Sequence, residues 1–309
     1  MPFHVYKYPK NHSMLMKILV IGGSGMIGSK VVDHFLKTNN EVEFTYFTHD
    51  VPFRTGYHLD ITQKDDTVKL ITKINPDIVI HSSALVNVDL CETNNSLADS
   101  INVNGTANII EGCKVVKDKL IYISTSFVFD GSKQKYVEDD IPSPSTYYGL
   151  TKYGGEELVR NSDLTYLILR TDQPYCWVEK WQRTNSVLRV LQTLRSGKVL
   201  KEITDWYNAP TYVPDLVHAI EKLLEDNAEG IFHLVGSEFI NRYNWALKVA
   251  NTFGLDKNLI KPITSDALSL PAKRVSVNLC NKKLFQKTGL RMYNIQDGLN
   301  DMKRIENVA

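Results

Sequence analysis

Lys17 to Ile21 (KILVI) is a short apolar run, and GGSGMIGS follows it at once, with glycines at 22, 25 and 28. A stretch with helical spacing comes next, through Lys30, Val31, Val32, Phe35 and Leu36. Few folds accept that order. It predicts a strand, a tight turn and a helix, the missing Cβ atoms letting a bound anion approach the backbone amides at the helix N-terminus. In this context the spacing of Gly22, Gly25 and Gly28 points to a dinucleotide, with Gly22, Gly25, Met26 and Ile27 as cofactor-binding candidates and Gly28 facing the sheet.

The same alternation continues. A strand is expected at Val42 to Tyr46, a helix capped by Thr62 with Asp65 three residues on, and a fully apolar strand at Ile78 to Ile80. A helix over Ser96 to Val115, a strand over Leu120 to Ser124, a helix over Tyr148 to Arg160 and a strand over Tyr166 to Leu169 complete the pattern. Strands alternating with helices of this length imply an α/β fold, a Rossmann doubly wound parallel sheet. Residues 17–170 read as the NAD(P)-binding domain. Residues 171–309 read mainly as a smaller C-terminal substrate-binding lobe with segments returning to the sheet. There a helix is expected near Ser186 to Arg195 and a strand near Val199 to Ile203. Pro214 opens a helix running to Glu225, Gly230 to Val235 forms a strand, and Asn241 caps a helix that stops at Gly254. Residues 1–16 are set apart as a leader, a disordered arm or an upstream start.

Lys and Arg total 36 against 35 Asp and Glu, and no basic stripe stands out, so nucleic acid is not an expected partner. Cys91, Cys113, Cys176 and Cys280 are widely spaced, without a CxxC pair, which fits a reducing cytoplasm. No apolar run reaches the roughly 18 residues of a membrane span, so no membrane association is expected.

The end of the second strand bears on the cofactor. An acidic residue there bonds the adenosine ribose and repels a 2′-phosphate. Phe47, Thr48 and His49 follow Tyr46 instead, with Asp50 further on and Arg54 beyond. Thr48 and His49 therefore favour NADP(H) over NAD(H).

Tyr148 and Lys152 stand four residues apart in an expected helix and so share one face. A nearby ammonium stabilises phenolate and brings a tyrosine towards neutrality as an acid and base. Ser124, Thr125 and Ser126 end the preceding strand at the ligand-binding edge, before FVFDG; of these hydroxyls Thr125 is the candidate for holding a substrate carbonyl.

Taken together, GxxGxxG, STSFVFDG and YYGLTKYGGE resemble the extended short-chain dehydrogenase/reductase family, and within it the dTDP-4-dehydrorhamnose reductases. The likeness runs from about Lys17 to Lys303 and includes DIVIHSSALVNVDLCE, INVNGTANI, the LRT ending at Thr171, the APT at Ala209 to Thr211, and FHLVGSE. It implies Tyr148 as proton donor, Lys152 on the nicotinamide ribose, and Thr125 orienting the substrate. It further implies Asp60 and Ile61 near the adenine, Ser83, Ala84 and Val86 along the cofactor, and Asn102 supporting the site through its backbone or a water. The implied reaction is hydride transfer to C4 of a nucleotide-linked 4-keto-6-deoxy sugar, with the sugar nucleotide as the partner.

Several positions depart from that pattern. Ser126 and Phe127 stand where the reductases usually have Asp and Tyr, Gln173 where they often place a tryptophan against the sugar, and Asn208 in place of a glycine. Arg274 of the later Arg-Pro pair is followed by Val275. Phe127, Gln173 and Arg274, with Thr125, are the substrate-binding candidates. Two other readings share the resemblance: an NADP-binding regulatory β subunit of methionine adenosyltransferase, and another sugar-nucleotide reductase or epimerase. Some related reductases use Mg²⁺, but no convincing carboxylate cluster stands in the sequence. The helix region Asn94 to Cys113 is a candidate for pairing two copies.

Overall fold

The computed structural model describes residues 15–49, 51 and 55–307; Asp50, Arg54 and most of the leader lie outside the described residues. Strand β1 (Lys17–Ile21) leads through the glycine turn into helix α1 (Met26–Phe35), followed by β2 (Glu41–Tyr46), the two-residue β3 (Tyr57–His58), α2 (Lys64–Ile74) and β4 (Ile78–His81). Then come α3 (Val88–Thr93), α4 (Asn95–Ala98), a π-helical turn over Asp99–Asn104, α5 (Gly105–Val116), β5 (Lys119–Thr125), α6 (Tyr147–Arg160) and β6 (Tyr166–Thr171). The second half adds β7 (Pro174–Tyr175), α7 (Ser186–Arg195), β8 (Leu200–Ile203), β9 (Tyr207–Asn208), β10 (Thr211–Tyr212), α8 (Val213–Glu225) and β11 (Gly230–His233). It closes with β12 (Ile240–Asn241), α9 (Arg242–Phe253), β13 (Ile260–Ile263), α10 (Lys282–Thr288) and α11 (Ile295–Glu306).

Seven strands form one parallel sheet in the order β11-β6-β5-β4-β1-β2-β3. The chain starts in the middle and winds outward both ways, so the order reverses beside β1, where β2 and β4 flank it. That reversal opens a crevice at the carboxyl ends of the strands. Both faces are covered. Ile18 and Val20 of β1 join one core cluster and Leu19 and Ile21 the other, which is the period-2 alternation of a strand buried on both sides. Each such side chain contributes on the order of 1.5–3 kcal/mol by leaving water. β11 returns from the second half to pair with β6.

Three local expectations differ from what is seen. Thr62 does not cap α2; Gln63 precedes the helix without a side-chain cap, and Thr62 instead bonds to Asp60. The single helix expected over Ser96 to Val115 is interrupted by the π turn, a feature that hydrophobic spacing does not report. The buried strand expected to run to Val235 stops at His233. Asn241 and Gly254 do bound α9 as cap and left-handed terminator.

Candidate active site

Every strand of the central sheet delivers its last residue to the same edge, and the site grows from three neighbouring strand ends. At β1, Gly22 has φ +84°, and a Cβ there would lie 2.9 Å from the Ser83 amide nitrogen, so only glycine lets the first turn pack against the loop after β4. A Cβ on Gly28 would meet the Gly22 carbonyl oxygen at 2.2 Å, which makes Gly28 a packing residue of the turn, as expected. Gly25 caps α1, and neither a side-chain cap nor a first-turn acid occupies that helix start. Met26 and Ile27 form its first turn, half-buried against the core. Amides left without intrahelical partners, open to one side, suit the pyrophosphate of a dinucleotide.

After β4 the chain runs through Ser82, Ser83, Ala84, Leu85 and Val86. Ser82 Oγ donates to the Ile21 and Gly22 carbonyls at 2.9 and 3.3 Å, and Val86 is exposed. Asn102, buried in the π turn, accepts from Leu85 N at 2.8 Å, donates back to Leu85 O at 3.2 Å, and donates to Thr151 Oγ1 at 3.0 Å. Its side chain thus fastens the Ser83–Val86 loop to α6. Thr48 and His49 are exposed just beyond β2. Asp60 closes its own turn, Oδ1 accepting from Thr62 N and Oγ1 at 2.9 and 2.8 Å. Ile61 turns its side chain into the core, where it fills the space left by Gly105, and Asn108 donates to its carbonyl at 2.9 Å. The Ile61 side chain thus packs against α5.

The three hydroxyls ending β5 part company. Ser124 Oγ donates to Glu156 at 2.5 Å, inside a buried fork in which Arg170 Nε and Nη2 bond Glu156 at 2.9 and 2.7 Å. Ser126 Oγ donates to Asp172 at 3.0 Å. Thr125 Oγ1 accepts from Phe127 N at 3.3 Å, and of the three it is the one whose side chain acts on the Tyr148 phenol. Thr146 caps α6 and places Tyr148 in its first turn, where Phe127 meets the phenol ring edge-on at 5.8 Å.

Lys152, one turn later, donates from Nζ to Ile123 O at 2.9 Å and lies 4.0 Å from the centre of the Tyr122 ring. Burial pulls this ammonium down to about 7, against the opposing pull of Glu156. Burial also pushes the Tyr148 phenol well above the ordinary tyrosine range, with the Thr125 hydrogen bond acting the other way. Desolvation is the largest influence on the phenol and works against the lowering expected from Lys152.

Opposite this edge lies the second half of the chain. Gln173 holds a left-handed φ of 39° and accepts from Arg242 Nη1 at 3.0 Å. The buried Arg242 guanidinium stacks 5.2 Å from the Trp206 ring and 4.9 Å from Trp245. Arg274 lies 5.6 Å from the Trp206 ring and grips Asp89 of α3 through two bonds of 2.9 and 2.7 Å, which hold that carboxyl below its usual range. Gln182 reaches back to the glycine turn, donating to Ser24 O at 2.9 Å and Ser29 Oγ at 2.9 Å. Asp172, Arg242 and Gln182 carry no motif in the sequence; only the strand-end position of Asp172 offered a signal. Among the described residues there is no group of three or more His, Cys, Asp or Glu placed to hold a metal, and no helix long and apolar enough to cross a membrane.

The family model described as the RmlD substrate binding domain matches residues 16–307. The chain belongs to that family. The family sits within the extended short-chain dehydrogenases/reductases, in agreement with the motifs. The chain is 27% identical to a dTDP-4-dehydrorhamnose reductase of Mycolicibacterium smegmatis, over 90% of this chain and 81% of the relative. It is 28% identical to methionine adenosyltransferase 2 subunit beta of Rattus norvegicus, over 80% and 75%. The dTDP-4-dehydrorhamnose reductase of Bacillus anthracis, solved in complex with NADP, superposes with a TM-score of 0.86 at 26% identity, over 94% of this chain and all of that one. A Thermus thermophilus UDP-glucose 4-epimerase shares the fold, with a TM-score of 0.84 at 21% identity.

Proposed function

We propose that this protein reduces the 4-keto group of a nucleotide-linked 6-deoxy sugar with NADPH, as a dTDP-4-dehydrorhamnose reductase-like enzyme. The observation that carries the reading is the placing of buried Thr125 at the end of β5 and buried Tyr148 in the first turn of α6, with Lys152 one helical turn away and the glycine turn two strands over. Gly22, Gly25 and the uncapped start of α1 fit a dinucleotide pyrophosphate. Thr48 and His49, exposed beyond β2, fit the phosphate that distinguishes NADP from NAD. When bound, the nicotinamide supplies the hydride.

The chain's own groups manage the oxygen. Thr125 ends β5 and Tyr148 opens α6, and both hydroxyls would donate to a substrate carbonyl oxygen held within about 3 Å of them. A phenol kept protonated by burial is the right starting state for a reduction, since its proton must pass to the developing alkoxide. Lys152 supplies a buried amine for the ribose hydroxyls, and Glu156 behind it supports its charge. Asn102 holds the Ser83–Val86 loop against α6 so that the cofactor and phenol keep their spacing. Phe127, Gln173 and Arg274 border the sugar side.

The test is direct. Purified protein given NADPH and dTDP-4-keto-6-deoxy-L-mannose should consume NADPH and form the 4-hydroxy sugar; no turnover with this or any related keto sugar overturns the reading. A second reading, a regulatory NADP-binding subunit, is favoured by the 28% likeness to methionine adenosyltransferase 2 subunit beta. It prevails if keto sugars are inert and the protein instead binds a methionine adenosyltransferase.

A further inference from the structure

Tyr122 lies in the middle of β5 with its side chain wholly buried, and the buried Lys152 comes to it from α6. Lys152 Nζ stands 4.0 Å from the centre of the Tyr122 ring and donates to the carbonyl of the next residue, Ile123, at 2.9 Å. The seat is built from both sides. The Tyr122 hydroxyl donates to Lys152 O at 3.4 Å, and a Cβ on Gly155 would lie 2.2 Å from that hydroxyl, so the glycine three residues after the lysine leaves room for the ring. Glu156, one turn on, gives its oxygens to Arg170 and Ser124 and forms no ion pair with Lys152. An ammonium taken out of water needs a compensating partner. The face of an aromatic ring is one, and it attracts a cation most strongly where water is excluded.

We infer that Tyr122 is a positioning residue for Lys152: the face of its ring, together with the Ile123 carbonyl, seats the ammonium and favours its charged form in a buried site. Burial works against that charge and Glu156 works for it. His81 at the end of β4 lies 5.3 Å from the same ring, but burial and the Lys152 charge hold its imidazole far below the ordinary histidine range. It is therefore neutral and does not compete as a cation. Tyr148 stands one turn before Lys152 and Glu156 one turn after, with Arg170 of β6 behind Glu156. The consequence for turnover rests on the reading that Lys152 serves the reduction. A charged amine keeps three hydrogens to share between Ile123 and the ribose hydroxyls, whereas a neutral one replaces a donor with a lone pair.

NMR of the NADP-bound protein containing isotope-labelled lysine reads the titration of Lys152 at its ε-carbon, and Lys152→Met identifies that resonance; no sugar is needed. Tyr122→Phe keeps the ring and should leave the midpoint within about 0.3 pH unit of wild type. Tyr122→Leu removes the ring and should lower the midpoint by about one unit. The ammonium charge is then lost at lower pH, and the basic limb of kcat for keto-sugar reduction should move down with it. A midpoint unmoved or raised in folded Tyr122→Leu overturns the inference, and so does an equal fall in Tyr122→Phe, which would place the effect in the hydroxyl. If Tyr122→Leu does not fold, pentafluorophenylalanine at position 122 decides the matter, since its ring has nearly the same shape and an electron-poor face: a lowered midpoint supports the inference and an unmoved one overturns it. A purely structural role would lower the unfolding temperature and leave the lysine titration in place. Failure of every keto sugar to react would instead strike the proposed activity, and the titration would still report on Tyr122.

Discussion

The cleft has two sides that are built differently. The side proposed to hold the cofactor comes from strand ends and the turns directly after them: Gly22 to Ile27 after β1, Ser82 to Val86 after β4, Thr125 at β5, and Tyr148 with Lys152 in the helix that follows. Its geometry is mostly backbone, braced by a few side chains such as Asn102 and Gln182. The side proposed to face the sugar takes Gln173, Trp206, Arg242 and Arg274 from separate segments and joins them through stacked guanidinium groups and one bidentate ion pair to Asp89. A backbone-built surface is constrained by the fold itself, whereas a surface made of long side chains accepts new residues wherever charge and volume still balance. Of the departures from the reductase pattern, Gln173 falls on the second side, and Phe127 stands between the two, against Tyr148.

The sharpest way to break the contrast is at the phenol. Tyr148→Phe should lower kcat by about 10²–10⁴-fold, the usual contribution of a positioned acid, with NADP affinity unchanged by direct titration. Full activity would remove the cofactor side's claim to the chemistry. Next comes Gly28→Ala, whose methyl meets the Gly22 carbonyl and must displace the glycine turn. We expect NADP binding weaker by roughly tenfold or more, about 1–3 kcal/mol of strain. Arg274→Ala should do the reverse of a cofactor-side change. It should raise KM for the sugar nucleotide several-fold, with NADP affinity intact; an equal loss of both would show that the two sides are not separable.

The smallest effect lies away from the cleft and provides a baseline. Asp118 is buried with one carboxylate oxygen lacking a partner, and burial, helped by Asp77, lifts its carboxyl to about 7. An acid whose folded value exceeds its unfolded one costs stability above that value and recovers it as pH falls through the window from about 7 to about 4. Asp118→Asn should therefore raise stability at pH 8 by about 1 kcal/mol, measured by denaturant unfolding, and the gain should fade towards pH 4. No change in activity is expected at either pH.

Much of this was open to inspection in the chain itself. The β-α alternation, the glycine turn, the Tyr148–Lys152 spacing and the caps Asn241 and Gly254 are local patterns, because a helix or a tight turn is decided by residues within a few positions of one another. The choice among Ser124, Thr125 and Ser126 was not local: the partners that occupy Ser124 and Ser126, Glu156 and Asp172, arrive from α6 and from beyond β6. The π turn that presents Asn102 likewise disturbs no hydrophobic period.

What the sequence alone determined, then, is the sheet, the glycine turn after β1 and the placing of Tyr148 and Lys152 on one face of α6. Tertiary structure decided the rest. It turned the Ile61 side chain into the core and placed Lys152 under Ile123 and Tyr122. Burial works on the phenol from every side, and Asp172 came to lie beside Ser126. The physical reason is range. Hydrogen-bonded turns and helical faces are short-range, but desolvation and the field of a buried charge depend on every segment that closes over them.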